Sequence, residues 1–172
     1  MDKTAGVSGR PAAREAILAA FRDIILESGF EGVRVIDVVE RSGVARSTFY
    51  EHFQSREDLL RDSMRGPFES LAQLAAASCD LARVASILEH FMEKRALVKS
   101  VMGNPGTGAL VDLLSELIGS RAGSFVPEIV ARAIAGAQLA VILSWLDGKN
   151  AHDAGAVAQA LRGMSLALLR TA

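Results

Sequence analysis

Apolar side chains recur along this chain at intervals of three and four, and long stretches of strict alternation are missing. Three-and-four spacing is that of helices that bury one face, so the pattern predicts an all-α protein. Ile17, Leu18, Phe21, Ile24, Ile25 and Leu26 make the apolar face of a first helix, with Arg14, Arg22, Asp23 and Glu27 opposite. Pro11 suits its first turn, and Ser28-Gly29 closes it. Residues 1–10 carry no apolar period up to Pro11 and are expected to form a flexible arm.

Two short helices follow, predicted over 35–41 and 46–52. Val35, Val38 and Val39 supply the buried side of the first, and Gly43 breaks the chain between them. A fourth helix opens after Ser55, an expected N-cap, with Asp58 three residues on as in a capping box. Pro67 is expected to kink or restart it. The remaining periodicity predicts helices over 81–93, 95–102, 107–122, 127–147 and 153–170, with turns at Asn104-Pro105-Gly106 and 147–150. The expected domains are residues 11–56 and 57–172.

Composition narrows the function. Half of the 172 residues are apolar, 5% are aromatic and the net charge is −1. No global basic excess announces nucleic acid, so any such surface must be a local patch. The single cysteine, Cys79, cannot form an internal disulfide, which fits a reducing compartment. The N-terminus shows no signal-peptide core. The most apolar run, Ile134–Leu146, has thirteen residues, against about 20 needed to span a bilayer. A cytoplasmic protein with no membrane partner is expected. His52, His90 and His152 fall in no metal-ligand spacing. The glycine-rich 103–108 lacks the Lys-Ser/Thr ending of a phosphate loop and reads as an interhelical turn. With no nucleophile–base pair standing out, neither a catalytic residue, nor a metal, nor a cofactor is expected.

The run SGVARSTFYEHFQSREDLL, residues 42–60, is where polar chemistry collects. Two short helices joined by a glycine-containing turn make a helix-turn-helix. Val39, Gly43, Val44 and Phe49 take the inner positions, which leaves Arg46, Ser47, Thr48, Tyr50 and His52 facing out. A helix so decorated suits the major groove, where base edges present distinguishable donors and acceptors. Arg and short hydroxyls at its start suit bases and phosphates. Tyr50 and His52, further along, suit phosphates, which position a protein without reading sequence. The helix starting at Arg56 offers further N–H groups to phosphate. Glu51 is expected to face away.

Residues 14–60 resemble the DNA-binding domain of the TetR family of transcriptional regulators. The resemblance rests on SGF at 28–30 and on VRVIDVVERSGVARSTFYEHFQSREDLL at 33–60, above all the TFYEHF run followed by SREDLL. It implies a homodimer, three small N-terminal helices for DNA, and a larger helical domain for a ligand and the partner subunit. It places base reading on Arg46 and Ser47, with Thr48 close behind. Phosphate contacts fall on Thr48, Tyr50, His52 and Arg56. Two departures stand inside this DNA-facing set. Arg34 occupies a position preceding the second helix where the family has Thr or Ser, and Ala45 replaces a serine that caps the third.

In the second domain, residues 127–146 are apolar almost all round, so that helix needs cover on every side. A two-fold seam with the last helix is expected, using Ile129, Ala133, Gly136, Ala137, Ala140, Leu161, Met164 and Leu168. Arg162 and Arg170 are expected outside the last helix's apolar stripe. A small effector is expected against Phe68, Leu71, Leu88, Phe91, Met92, Met102, Leu114, Gln138 and Trp145. With so few polar groups among them, it would be largely apolar. The expectation is a ligand-responsive repressor that binds a palindromic operator on double-stranded DNA. The alternative is a helical co-regulator of activator type with weak or lost DNA binding.

Overall fold

A computed structural model describes residues 9–103, 107–121, 126–148 and 152–170. The expected turns at 104–106 and 149–150 and the arm over residues 1–8 lie outside them. Every regular element described is helical: α1 Gly9–Ser28, α2 Val35–Ser42, α3 Arg46–His52, α4 Arg56–Ala72, α5 Leu81–Glu93, α6 Arg95–Met102, α7 Thr107–Arg121, α8 Glu128–Leu146 and α9 Ala154–Leu169. Short 3-10 turns occupy Phe30–Gly32 and Gln73–Ala75. The helix bounds follow the apolar period to within a residue or two, because the punctuation is chemically strong. Gly29 ends α1 with a positive φ, its N–H on the Ile25 carbonyl at 2.9 Å. Asp80 and Asp153 cap α5 and α9 by accepting from the third residue on.

The chain divides into two compact units between Ser63 and Met64. In the first, α1 packs on α2 and α3. Ile17, Phe21, Phe30, Val38, Phe49, Leu59 and Leu60 are essentially without exposed surface. Burying a side chain of that size contributes about 2–3 kcal/mol relative to leaving it in water. Leu26 departs from expectation: it is 61% exposed. A helix turns by a hundred degrees per residue, so the residue after Ile24-Ile25 has already swung off the buried face.

Pro67 lies inside α4, which runs unbroken from Arg56 to Ala72. The expected kink or restart therefore produces no interruption, although Pro67 has no N–H for the Ser63 carbonyl. The start of α4 follows the capping logic with one shift. The Asp58 N–H donates to Ser55 Oγ at 3.1 Å, while the Asp58 carboxylate accepts from the N–H of Gln54 at 2.9 Å.

In the second unit α7 packs on α8, α5 on α9, and α8 on α9. The apolar α8 runs for 19 residues with a mean hydropathy of 1.8, so length and composition alone would let it cross a bilayer. The thirteen-residue run read from the sequence understated it. One flank of α8 is buried against α7 and α9, and that flank carries a hydrogen bond between Gln138 and Ser165, as in the core helix of a bundle. Arg162, expected outside the apolar stripe of α9, is turned inward. Its guanidinium donates to the carbonyls of Gln73, Leu74, Ala76 and Ala77 at 3.2–3.4 Å, around the 3-10 turn that ends α4.

Candidate nucleic-acid interface

The first helix of the motif, α2, starts without a side-chain cap. Arg34 stands at its N-cap, and its carbonyl takes the N–H groups of Asp37 and Val38. Its guanidinium folds onto Asp37 through Nε at 2.7 Å and a terminal nitrogen at 2.6 Å. These hydrogen bonds hold the Asp37 carboxyl below the usual carboxylate range. At the other end of α2, Arg41 reaches Glu27 of α1 at 2.7 Å. Gly43 then turns the chain at φ 68° and ψ 10°. A Cβ there would touch nothing within 4 Å, so glycine is required by the left-handed backbone and not by crowding.

The recognition segment is a helix of seven residues, α3, entered through Ala45 in an extended conformation with no side-chain cap. Phe49 is fully buried, and Phe53, just past the end of the helix, is nearly so. Their rings lie 6.1 Å apart and pin the inner side of α3. Val44 is half-buried and Gly43 exposed, so the two aromatics hold the segment more than the turn does. Phe53 was not among the expected inner positions, although its i, i+4 spacing from Phe49 was visible.

The outer side presents Arg46, Ser47 and Glu51 exposed and Thr48 half-exposed, while Tyr50 is 40% exposed. The Arg46 guanidinium sits 5.7 Å from the centroid of the Tyr50 ring. Two of the expected phosphate contacts are placed differently. His52 is half-buried, and its Nε2 is enclosed with no hydrogen-bond partner among the described residues, so only Nδ1 remains to meet a phosphate. Arg56 is spent largely inside the unit. Its guanidinium lies 4.9 Å from the Phe30 ring centroid, donates to the carbonyls of Phe30, Glu31 and Val33 at 3.3–3.4 Å, and pairs with Glu57 at 3.0 Å. Burial opposes the charge on Glu57, and the hydrogen bond from Arg56 helps to hold its carboxyl below the usual range. Arg14 likewise pairs with Asp62.

The residues expected to line an effector site are mostly close-packed core. Phe68, Leu71, Leu88, Met102, Leu114 and Gln138 have no exposed surface, and Phe91 and Trp145 have little. Met92 and Trp145 do line an open cleft of about 560 Å³, shared with Glu89, Glu93, His152, Asp153 and Ala154. Of the residues expected in a two-fold seam, Ile129 is 78% exposed, Ala133 and Ala140 are exposed, and Gly136, Ala137, Met164 and Leu168 are half-buried. Leu161 is fully buried within its own subunit and leaves that set.

Residues 17–62 match the family described as bacterial regulatory proteins, tetR family. The HTH-type transcriptional regulator AlkX of Mycobacterium tuberculosis (strain ATCC 25618 / H37Rv) is 29% identical over 86 residues, which cover 50% of this chain and 40% of that protein. The uncharacterized HTH-type regulators YdeS and YxbF of Bacillus subtilis (strain 168) are 28% and 34% identical over 63% and 38% of this chain, and over 57% and 18% of their own lengths. The chain thus spans less than three fifths of each of these relatives. Among solved structures, a TetR-family regulator from Streptomyces coelicolor A3 aligns over 99% of both chains with a TM-score of 0.68 at 19% identity. A TetR transcriptional regulator from Streptococcus agalactiae 2603V aligns over 92% of this chain and 96% of its own with a TM-score of 0.61 at 18% identity. At that identity the likeness is one of fold.

Proposed function

We propose that the chain is a cytoplasmic DNA-binding transcriptional regulator that docks α3 in the major groove, a reading supported by the match of residues 17–62 to the tetR family of bacterial regulatory proteins. The observation that carries this reading is the two-sidedness of α3. Phe49 is fully buried, while Arg46, Ser47 and Tyr50 stand exposed on a helix short enough to enter the groove end-on. Arg46 and Ser47 read bases. Thr48, Tyr50 and Nδ1 of His52 hold phosphates. Residues 11–56 form the DNA-binding domain and 57–172 the effector and dimerisation domain.

The protein acts as a homodimer. The exposed flank of α8, with Ile129, Ala133 and Ala140, is apolar and made of mostly small side chains, which suits a helix of a second copy. Two recognition helices about 34–36 Å apart then meet successive major grooves of a palindromic operator. An apolar effector bound in the second domain prefers one arrangement of the dimer and so shifts the population that fits DNA. Occupying an operator blocks transcription, which makes a ligand-responsive repressor the primary reading.

The test is binding of the full chain to duplexes selected from a random-sequence library, measured against salt. A DNA binder loses affinity steeply with added salt, because each phosphate contact releases counterions. Failure to enrich any duplex, or a flat response to salt, overturns the reading. Ala133→Glu and Ala140→Glu should each convert dimer to monomer in light scattering; an unchanged dimer moves the seam elsewhere.

A second reading is an activator-type co-regulator that binds DNA weakly. The missing side-chain caps at Arg34 and Ala45 favour it, since each costs its helix about 1 kcal/mol.

A further inference from the structure

Arg46 and Tyr50 stand four residues apart on α3, where side chains meet one above the other. The guanidinium carbon of Arg46 lies 5.7 Å from the centroid of the Tyr50 ring, within reach of the attraction between a cation and an aromatic face. That ring is itself held. It meets Phe49 edge-on, with centroids 5.3 Å apart and planes at 86°, and Phe49 is locked in the core. Arg14, Arg34, Arg41 and Arg56 of the same unit are each tied to a carboxylate. Arg46 has no carboxylate partner among the described residues, and the Tyr50 ring takes that place.

We propose that Tyr50 is a positioning residue for base reading, its ring holding Arg46 in the few rotamers that present the guanidinium to a guanine edge. The inference rests on the regulator reading above and divides Tyr50 into two functions. The hydroxyl contacts phosphate and adds affinity that is blind to sequence. The ring adds discrimination without touching a base. Arginine carries much rotamer entropy, and whatever the ring removes beforehand is not lost on binding. The target chemistry is the N7 and O6 acceptors of guanine, which a guanidinium takes two at a time.

Discrimination and affinity can be read separately. The full chain would be used to select a duplex from a random library, and the base pair read by Arg46 identified as the one at which Arg46→Ala loses preference. Tyr50→Phe and Tyr50→Trp keep a ring and lose the hydroxyl. Both should weaken binding to all sequences alike and keep the preference at that base pair. Tyr50→Leu and Tyr50→Met remove the ring and should lower the preference there about two- to five-fold. In Arg46→Ala background the Tyr50→Leu change should cost no further preference. Thermal melting of each variant confirms that it is folded. Wild-type preference in both ringless variants overturns the proposal, as does equal loss in ring-bearing and ringless variants. An Arg46→Ala protein that discriminates like the wild type overturns it too. A wild-type chain that selects no duplex overturns the regulator reading itself, and the proposal with it.

Discussion

Gln138 of α8 and Ser165 of α9 are joined side chain to side chain at 2.9 Å, with neither residue exposed to solvent. The Ser165 hydroxyl donates a hydrogen bond to the Leu161 carbonyl at 2.7 Å, whereas Oε1 of Gln138 receives no donor from the described residues. The two residues should therefore respond unequally to mutation. Ser165→Ala strands the buried Gln138 amide and should destabilise by about 1–3 kcal/mol. Gln138→Met removes the stranded oxygen along with the amide and should stay within about 1 kcal/mol of wild type. Urea unfolding distinguishes them; equal losses in the two variants would show that the pair is not what sets the energy of this seam.

Arg56 ties the start of α4 to the Phe30–Gly32 turn through three carbonyls and one ring face. A lysine cannot reproduce a fork of donors around several carbonyls. Arg56→Lys should cost about 1–2 kcal/mol and speed amide hydrogen exchange in residues 30–33. In Arg56→Gln, which removes the charge, the salt dependence of DNA binding should stay the same. A salt slope reduced by about one, with exchange unchanged, would return Arg56 to the phosphate-contacting set.

Ala45 holds an extended N-cap backbone, at φ −66° and ψ 147°, but lacks the oxygen that a cap supplies. Ala45→Ser should stabilise the chain by about 0.5–2 kcal/mol by giving α3 a side-chain acceptor. On DNA the new hydroxyl should also tighten binding. No gain in melting temperature would mean that Ser at 45 finds a partner other than the start of α3.

The pair at the start of α2 gives a pH signature. Hydrogen bonds from Arg34 hold the Asp37 carboxyl below its ordinary range. A depressed carboxyl favours the folded state above the carboxyl's unfolded pKa, and that help fades as pH falls through the folded value. Arg34→Gln should move the Asp37 titration, followed by carbon NMR, up toward the ordinary range. The stability difference between the two proteins should be small, because the pair is exposed, and should vanish in acid. An unmoved titration would show that Arg34 and Asp37 do not pair in solution.

Much of the fold was legible because helix period and turn chemistry agreed. Gly29, Gly43, Ser55, Asp80 and Asp153 each carry a local reason to start or stop a helix. The motif at 42–60 was legible for the same reason, since Phe49 alternates inward with its polar neighbours. Long-range contacts were not. Arg56 and Arg162 look like surface charges in sequence, yet both serve backbone carbonyls released by 3-10 turns, and no periodicity announces such acceptors. Leu26 and Leu161 show the coarseness of an apolar stripe: one residue of rotation separates a buried side chain from an exposed one. The set Phe68, Leu71, Leu88, Met102 and Leu114 shows that apolar residues at helical spacing report a core before they report a ligand.

Arg162 lies 85–89 residues after the carbonyls it satisfies, which belong to residues 73–77. During synthesis those carbonyls emerge from the ribosome long before their donor does. The corner between α4 and α5 stays open to water until α9 arrives to close it, so a stretch translated later fixes the geometry of one translated earlier. A nascent chain arrested before Arg162 should leave that corner sensitive to protease.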